Sequence, residues 1–328
     1  MTLIDINKLP SKTDIHLWGD FIELLCLLNV DGVITKADVL DRFQDEIGID
    51  STLQDDLSLN DPNDVRSNKL ELRVDDWFNH LVFRSGIFDR DGYDFYPFIM
   101  ENKGDGLSRK NDLTLKHTLY VFFLIASNLK YVTPSLKTRI ARDFEALSEL
   151  AMQKCFPDGS HIYVFGTGGF ASSNKLSGNL FSKIKQLSEL LNERVVIDED
   201  KLSKQDVGDG GLDIVGWLPL GDSNGGLFCI FGQCACSYDE WSSKQHSSGF
   251  DAWRQKITLT VPPSNAIFIP FCFRDNNGAW WKPHDIHGSI VFDRVRIIHL
   301  LQDRFDRITE LPTFASIIEI IDTREKLV

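Results

Sequence analysis

The chain has 328 residues, six cysteines and a formal net charge of −13, and 42% of its residues are apolar. This length suits about two domains, and the apolar fraction is sufficient for packed cores. The acidic charge, which both halves of the chain share, excludes a broadly basic nucleic-acid-binding surface. Any contact with DNA would need a local basic patch, or metal ions between acidic side chains and phosphates.

The cysteines and the apolar runs predict a cytoplasmic protein without membrane contact. The six cysteines are scattered and form no CxxC pair, which is typical of reduced thiols. The sequence has no run of about 18 uncharged apolar residues, so no membrane span is expected. The N-terminal segment lacks a basic start followed by an apolar stretch, and it is not predicted to be a secretory signal.

The first half of the chain is predicted to be mainly helical. Apolar residues recur at three-and-four spacing in residues 14–30, which indicates an amphipathic helix. Further helices are predicted at residues 35–48, 74–90, 115–132 and 134–156, whereas the acidic, turn-rich segment 50–71 is predicted to be a loop and residues 92–105 are strand-like. We place a domain boundary near residue 155, so that residues 1–154 form a recognition or partner-binding domain.

The second half alternates strands, glycine-containing loops and helices. Strands are predicted near residues 160–165 and 265–273, a helix at 177–193, and a strand or helix that ends helical at 287–304. Residues 155–328 are therefore expected to form an α/β domain.

A predicted hairpin carries the most informative pattern. Two apolar runs, residues 212–220 and 227–234, are joined by a turn and preceded by the glycine cluster of "GDGG" at residues 208–211. Asp213 is the second residue of the first run, and Gln233 lies near the end of the second run. If the strands are neighbours, these side chains can share one pocket. A carboxylate and an amide oxygen suit Mg²⁺, with Mn²⁺ as a substitute, and the backbone carbonyl of Cys234 can add a third oxygen.

The pattern "GDGGLDIVGW" followed by "IFGQCA" resembles the PD-(D/E)xK nuclease superfamily, especially its Mrr-like restriction endonuclease branch. The resemblance covers residues 163–260. It implies a restriction-endonuclease-like mixed sheet flanked by helices and preceded by the mainly helical N-terminal domain. It also implies metal ligation by Asp213, a metal-ligating or water-positioning role for Gln233, and magnesium-dependent hydrolysis of DNA.

Two features depart from the family pattern. The family has a lysine two residues after the position of Gln233, and this chain has Ala235 there. Lys244 is the nearest downstream lysine, and we expect it to reach back from a helix and act as the displaced catalytic cation. The family's helical glutamate is also missing from the predicted helix before the hairpin, which has Ser182 and Lys183 at that place and Glu189 further along.

Other patterns have simpler explanations. The glycines at residues 165–170 do not fit a phosphate-binding motif, and His284 with His287 lack the further ligands that a zinc site needs. Arg294 and Arg296, beside Asp293, indicate either a salt-bridged surface or a contact with the DNA backbone.

The sequence therefore predicts a magnesium-dependent DNA endonuclease, which the resemblance associates with bacterial restriction or anti-phage defence and with a protein partner or a homo-oligomer. Two alternatives stay open. The chain can be a catalytically inactive nuclease-fold subunit that binds nucleic acid or a partner protein, or a metal-free interaction protein of another fold.

Overall fold

The protein is mixed α/β, with a helical N-terminal region and a five-stranded sheet flanked by helices. The computed structural model describes residues 3–6, 8–47, 63–90, 92–202 and 208–324, without the side chains of residues 43–47 and 63–68. None of the helices in these ranges has both the length and the apolar character needed to span a membrane.

The N-terminal region combines long helices with a small antiparallel sheet. Its helices are α1 (Ile15–Leu28), α2 (Lys36–Ile47), α3 (Asn63–Phe88), α4 (Leu115–Ser127) and α5 (Pro134–Cys155). Its strands are β1 (Val33–Thr35), β2 (Phe98–Glu101) and β3 (Gly106–Arg109), and β3 lies in the middle. The rings of Trp18 on α1 and Trp77 on α3 stack with centroids 3.9 Å apart, so these two helices pack through large buried aromatic side chains.

The second half of the chain forms the five-stranded sheet in the order β4, β5, β6, β7, β8. The strands are β4 (His161–Val164), β5 (Ile214–Leu218), β6 (Phe228–Cys234), β7 (Ser264–Phe268) and β8 (Ser289–Phe292), and the helices are α6 (Leu180–Leu190), α7 (Trp241–Lys244), α8 (Phe250–Trp253), α9 (Arg294–Leu300) and α10 (Phe314–Asp322). β4, β5 and β6 pair antiparallel, whereas β7 and β8 are added in parallel.

Apolar side chains cover both faces of the sheet. Neighbours along β5 belong to different cores, because Ile214 packs with the cluster that includes α5 and Val215 packs with the cluster of α6 and α8. This alternation follows from the two-residue period of a strand. Helix α5 comes close enough that a Cβ at Gly232 would lie 2.9 Å from the terminal methyl of Met152.

A fully buried ionic network joins the two halves of the chain. Arg294 at the start of α9 donates to Asp20 of α1 at 2.9 Å, and Arg84 of α3 donates to the same carboxylate at 2.6 Å. Glu23 lies 3.0 Å from Arg84 and accepts from two buried tyrosines. Helices α9 and α10 also share the large apolar core of α1, α4 and α5. The predicted boundary near residue 155 falls at the end of α5, which contacts both regions, and it stays a prediction.

Most predicted elements are present. Helix α3 begins at Asn63, so the predicted loop at 50–71 is wrong for its last residues, and residues 50–62 lie outside the described ranges. The helix expected at Lys244 is present as the four-residue helix α7, and α8 follows it. Arg294 is fully buried, which excludes the predicted surface or DNA-contact role for this side chain.

Candidate active site

The hairpin brings Asp213 and Gln233 together at its open end. In the antiparallel register of β5 and β6, Ile214 pairs with Gly232. Asp213 is one residue further out, and its backbone N–H donates to the carbonyl of Gly232 at 2.9 Å. The side-chain amide Nε2 of Gln233 donates to Oδ2 of Asp213 at 2.8 Å. The backbone N–H of Cys234 donates to the same oxygen at 2.7 Å. The contact from Cys234 is thus made by its N–H, whereas the prediction concerned its carbonyl.

A second acid, Glu145, reaches this end of the hairpin from the middle of α5. Its Oε2 accepts a hydrogen bond from the backbone N–H of Gly168 at 2.6 Å. A Cβ built on Gly166 would lie 2.7 Å from that oxygen and 3.0 Å from Oδ1 of Asp213. The two carboxylate oxygens therefore lie next to the same point, which only glycine at residue 166 leaves unoccupied.

The glycine turn before β5 contributes a third carboxyl group. Oδ1 of Asp209 accepts from the backbone N–H of Gly211 at 2.7 Å and closes the turn. Gly211 has φ of +82°, and a Cβ there would lie 2.4 Å from Cβ of Ser247. Only glycine suits both requirements. The turn consequently packs against the segment after α7 and brings Asp209 close to Asp213.

The protonation of these acids is strongly perturbed. Burial raises the pKa of Asp213 well above its ordinary value, and the nearby carboxyl groups of Glu145 and Asp209 raise it further. Burial raises the pKa of Glu145 to about 7, and repulsion from Asp209 also raises it. The hydrogen bond from Gly168 has the opposite effect and lowers this pKa. Like charges that share a low-dielectric pocket cannot all ionise without a compensating cation.

The pocket also contains an unsatisfied acceptor. Gln233 is 6% exposed, and its Oε1 has no hydrogen-bond partner, whereas its Nε2 is used by Asp213. A buried polar atom without a partner costs about 1–3 kcal/mol. Carboxylate oxygens of Asp213 and Glu145 and an unpartnered amide oxygen on the residue bonded to Asp213 are hard-oxygen donors of the kind that Mg²⁺ or Mn²⁺ prefers.

These possible cation ligands include an amide oxygen and only two carboxylates. Among the described residues, no group of three or more histidine, cysteine, aspartate or glutamate side chains is arranged to hold a metal ion. A cation in this pocket would thus use Glu145, Asp213 and the Gln233 oxygen, with water in the remaining positions, as Mg²⁺ commonly does.

The lysine of the family pattern has no direct counterpart here. Ala235 is fully buried. Lys244 ends α7 and lies 3.5 Å from Glu240, with 37% of its side chain exposed. Burial raises the pKa of the Cys236 thiol, and the charges of Glu145 and Asp213 raise it further. The ammonium of Lys244 acts in the opposite direction and lowers this pKa. Lys244 therefore lies on the Cys236 side of the pocket, and no hydrogen bond or ion pair within the described ranges joins it to Asp213 or Gln233.

Lys183 of α6 is a second candidate cation. It is 6% exposed, and its Nζ donates to the carbonyl of Phe165 at 3.0 Å. The backbone N–H of Phe165 donates to the carbonyl of Asp213 at 2.7 Å. The buried ammonium of Lys183 is thus connected to Asp213 through the backbone of Phe165. The cation predicted from the sequence was Lys244.

Glu145 is not among the site residues predicted from the sequence. The helical glutamate was expected in α6, and α5 was assigned to the N-terminal domain. Glu189 of α6 is exposed. A signal was available, since Glu145 and Glu149 are acids on an otherwise apolar stretch of α5 that ends just before β4.

The comparisons with known proteins give no family assignment. No family model, no curated protein and no solved structure matches this chain.

Proposed function

We propose that this chain is a magnesium-dependent DNA endonuclease of the PD-(D/E)xK type, with a restriction-endonuclease-like fold in its second half. The observation that carries the proposal is that carboxylate oxygens of Glu145 and Asp213 both lie within 3.0 Å of the Cβ position of Gly166, and that Asp213 is bonded to Gln233, whose Oε1 has no partner. The mixed sheet flanked by helices is the architecture that the sequence resemblance implies. The six unpaired cysteines agree with a cytoplasmic location, and a role in bacterial restriction or anti-phage defence is proposed from the sequence resemblance alone.

The chemistry assigned to the residues follows from their environments. A bound divalent cation would supply Lewis-acid activation of the scissile phosphate and of the attacking water. Asp213 and Gln233 would hold the cation with side chains fixed by the strand ends. Glu145, with a pKa raised to about 7 by burial, would hold the cation together with them and release its proton when the cation binds near neutral pH. Lys244 or Lys183 would offset the negative charge of the transition state.

The test is nicking of supercoiled plasmid DNA with Mg²⁺ or Mn²⁺. We expect Asp213→Asn and Glu145→Gln to lose at least roughly 100-fold in rate, because each removes a charge that acts on the reacting centre. Asp222→Asn is the control, since Asp222 is exposed and only accepts from the backbone of Asn224. An Asp213→Asn variant as active as the wild type would end the proposal.

A second candidate function is a nuclease-fold subunit without activity that binds nucleic acid or a partner protein of a defence complex. It is favoured by the buried Ala235 and by the pairing of Lys244 with Glu240. Lys244→Met and Lys183→Met discriminate between the two candidates. A rate that falls in either variant while the melting temperature is kept supports the enzyme. Absence of cleavage by the wild type with either metal, with no metal-induced rise in melting temperature, supports the inactive subunit.

A further inference from the structure

A cavity of about 170 Å³ lies beside the candidate active site, on the side of Cys236. It is formed by the segment after β6, the start of α5, the end of α4 and the N-terminal segment. The residues that matter for its chemistry are Lys130, Lys137, Cys236, Ser237 and Asp239. Its volume is far larger than one water molecule needs.

The cavity carries an excess of positive charge. Lys130 and Lys137 both line it. Asp239 is the acid in its lining, and the ammonium of Lys12 neutralises that carboxylate at 2.6 Å. The Nζ of Lys130 has a long contact of 3.4 Å to the carbonyl of Leu9 and lies 4.7 Å from the centroid of the Tyr131 ring. The side chain of Lys130 is exposed, and neither of these contacts is to a carboxylate, so its charge is available to an anion.

Cys236 connects this cavity to the acidic pocket. It lines the cavity, and it follows by two residues Cys234, whose backbone N–H donates to Asp213 at 2.7 Å. Two residues of extended chain span about 7 Å, so the cavity begins close to the carboxylate pocket. The cavity also offers hydroxyl groups of Ser11 and Ser237, which can donate to phosphate oxygens.

We propose that this cavity, lined by Lys130 and Lys137, binds a phosphate group of the nucleic-acid strand next to the phosphate at the Glu145–Asp213 pocket. This inference rests on the proposed function and adds a substrate-binding site to it. The two lysines make point-charge contacts with phosphate, which position a strand without reading its sequence.

The experiment measures binding without metal, so that it is independent of cleavage. A labelled single-stranded DNA oligonucleotide is titrated in EDTA with the wild type, with Lys130→Met/Lys137→Met, and with the charge-matched control Lys69→Met/Lys201→Met, whose exposed lysines do not line the cavity. We expect the cavity variant to bind roughly tenfold more weakly and its salt dependence to decrease by about 0.7 in the log–log slope, because the contact with one phosphate is lost. The control variant should change little, and melting curves verify that each variant is folded.

Equal weakening in the cavity variant and in the control would overturn the inference, because it would indicate general electrostatic attraction. An absence of wild-type binding to both the oligonucleotide and inorganic phosphate would also overturn it. A response to inorganic phosphate alone, lost in the cavity variant, would keep the anion site and assign it to free phosphate. If Asp213→Asn abolishes nicking while the cavity variant binds normally, the proposed function stands and only this inference fails.

Discussion

The side-chain amide of Gln233 donates to the carboxylate of Asp213 at 2.8 Å, while the other end of the same amide, Oε1, has no partner. The amide of this buried residue is therefore half satisfied, directly beside the carboxylate of Asp213. Structural glutamines in a core normally use both ends of the amide. The unused oxygen is thus a specific reason to expect a ligand in this pocket.

Gln233→Glu tests whether that oxygen serves a cation. In the metal-free protein the new carboxyl group would add to the repulsion around Asp213, and we expect a loss of roughly 1–3 kcal/mol in the free energy of unfolding. With Mn²⁺ present, the extra carboxylate should increase the rise in melting temperature above that of the wild type. Gln255→Glu, on an exposed side chain, is the control. A Mn²⁺ response unchanged by Gln233→Glu would argue against metal binding at this position.

Gly166→Ala tests the space between the acids. The new methyl group would lie 2.7 Å from Oε2 of Glu145 and 3.0 Å from Oδ1 of Asp213, so the carboxylates must move apart. We expect a cost of about 1–3 kcal/mol in stability and loss of the Mn²⁺-induced rise in melting temperature. Gly86→Ala, where the added methyl meets nothing within 4 Å, should keep that rise. Equal Mn²⁺ responses in both variants would place the cation elsewhere.

Glu145 should make the stability of the metal-free protein depend on pH. Its pKa is raised from 4.5 to about 7 in the folded protein, so the folded state binds the proton more tightly than the unfolded state. The stability that this proton confers is complete below about pH 4.5 and is lost as the pH rises towards 7, by at most about 3 kcal/mol. Urea unfolding in EDTA at several pH values measures this loss. Glu145→Gln should reduce the slope between pH 4.5 and 7, and the exposed Glu189→Gln should not. A slope unaffected by Glu145→Gln would contradict the assignment.

Arg294→Met should destabilise the whole chain. The guanidinium donates to Asp20 at 2.9 Å and lies 3.6 Å from Glu23, and all three side chains are buried. Without the Arg294 guanidinium, Arg84 is the remaining cation of the network for both Asp20 and Glu23. Breaking a buried ionic network lowers the free energy of unfolding by about 3–5 kcal/mol. Urea unfolding should show the loss as one cooperative transition, since the network joins α1 to α9. Arg254→Met, which removes an exposed i,i+3 pair, should cost under about 1 kcal/mol. Unfolding in two steps, with only the second half of the chain destabilised, would contradict this prediction.

The hairpin was predictable from the sequence because its information is local. Two apolar runs of strand length with a glycine turn before them determine β5 and β6, and the spacing of Asp213 and Gln233 places both side chains at the same end. The helices α1, α2, α4, α5 and α6 were predictable for the same reason, since an apolar stripe at a period of 3.6 residues is visible within one segment.

The partners of that hairpin were decided by tertiary structure. Glu145 is 68 positions away from Asp213 in the numbering of the chain, and no periodicity connects them. Packing of α5 on the sheet, made possible where Gly232 and Gly166 have no side chains, brings the two acids together. The same holds for Lys183, for the lysine-lined cavity and for the link between Arg294 and Asp20. The sequence by itself predicted β5, β6, most of the helices and one pair of site residues, because hydrophobic periodicity acts over a few residues. Only the folded chain decided which charges face one another, because that depends on close packing between distant segments.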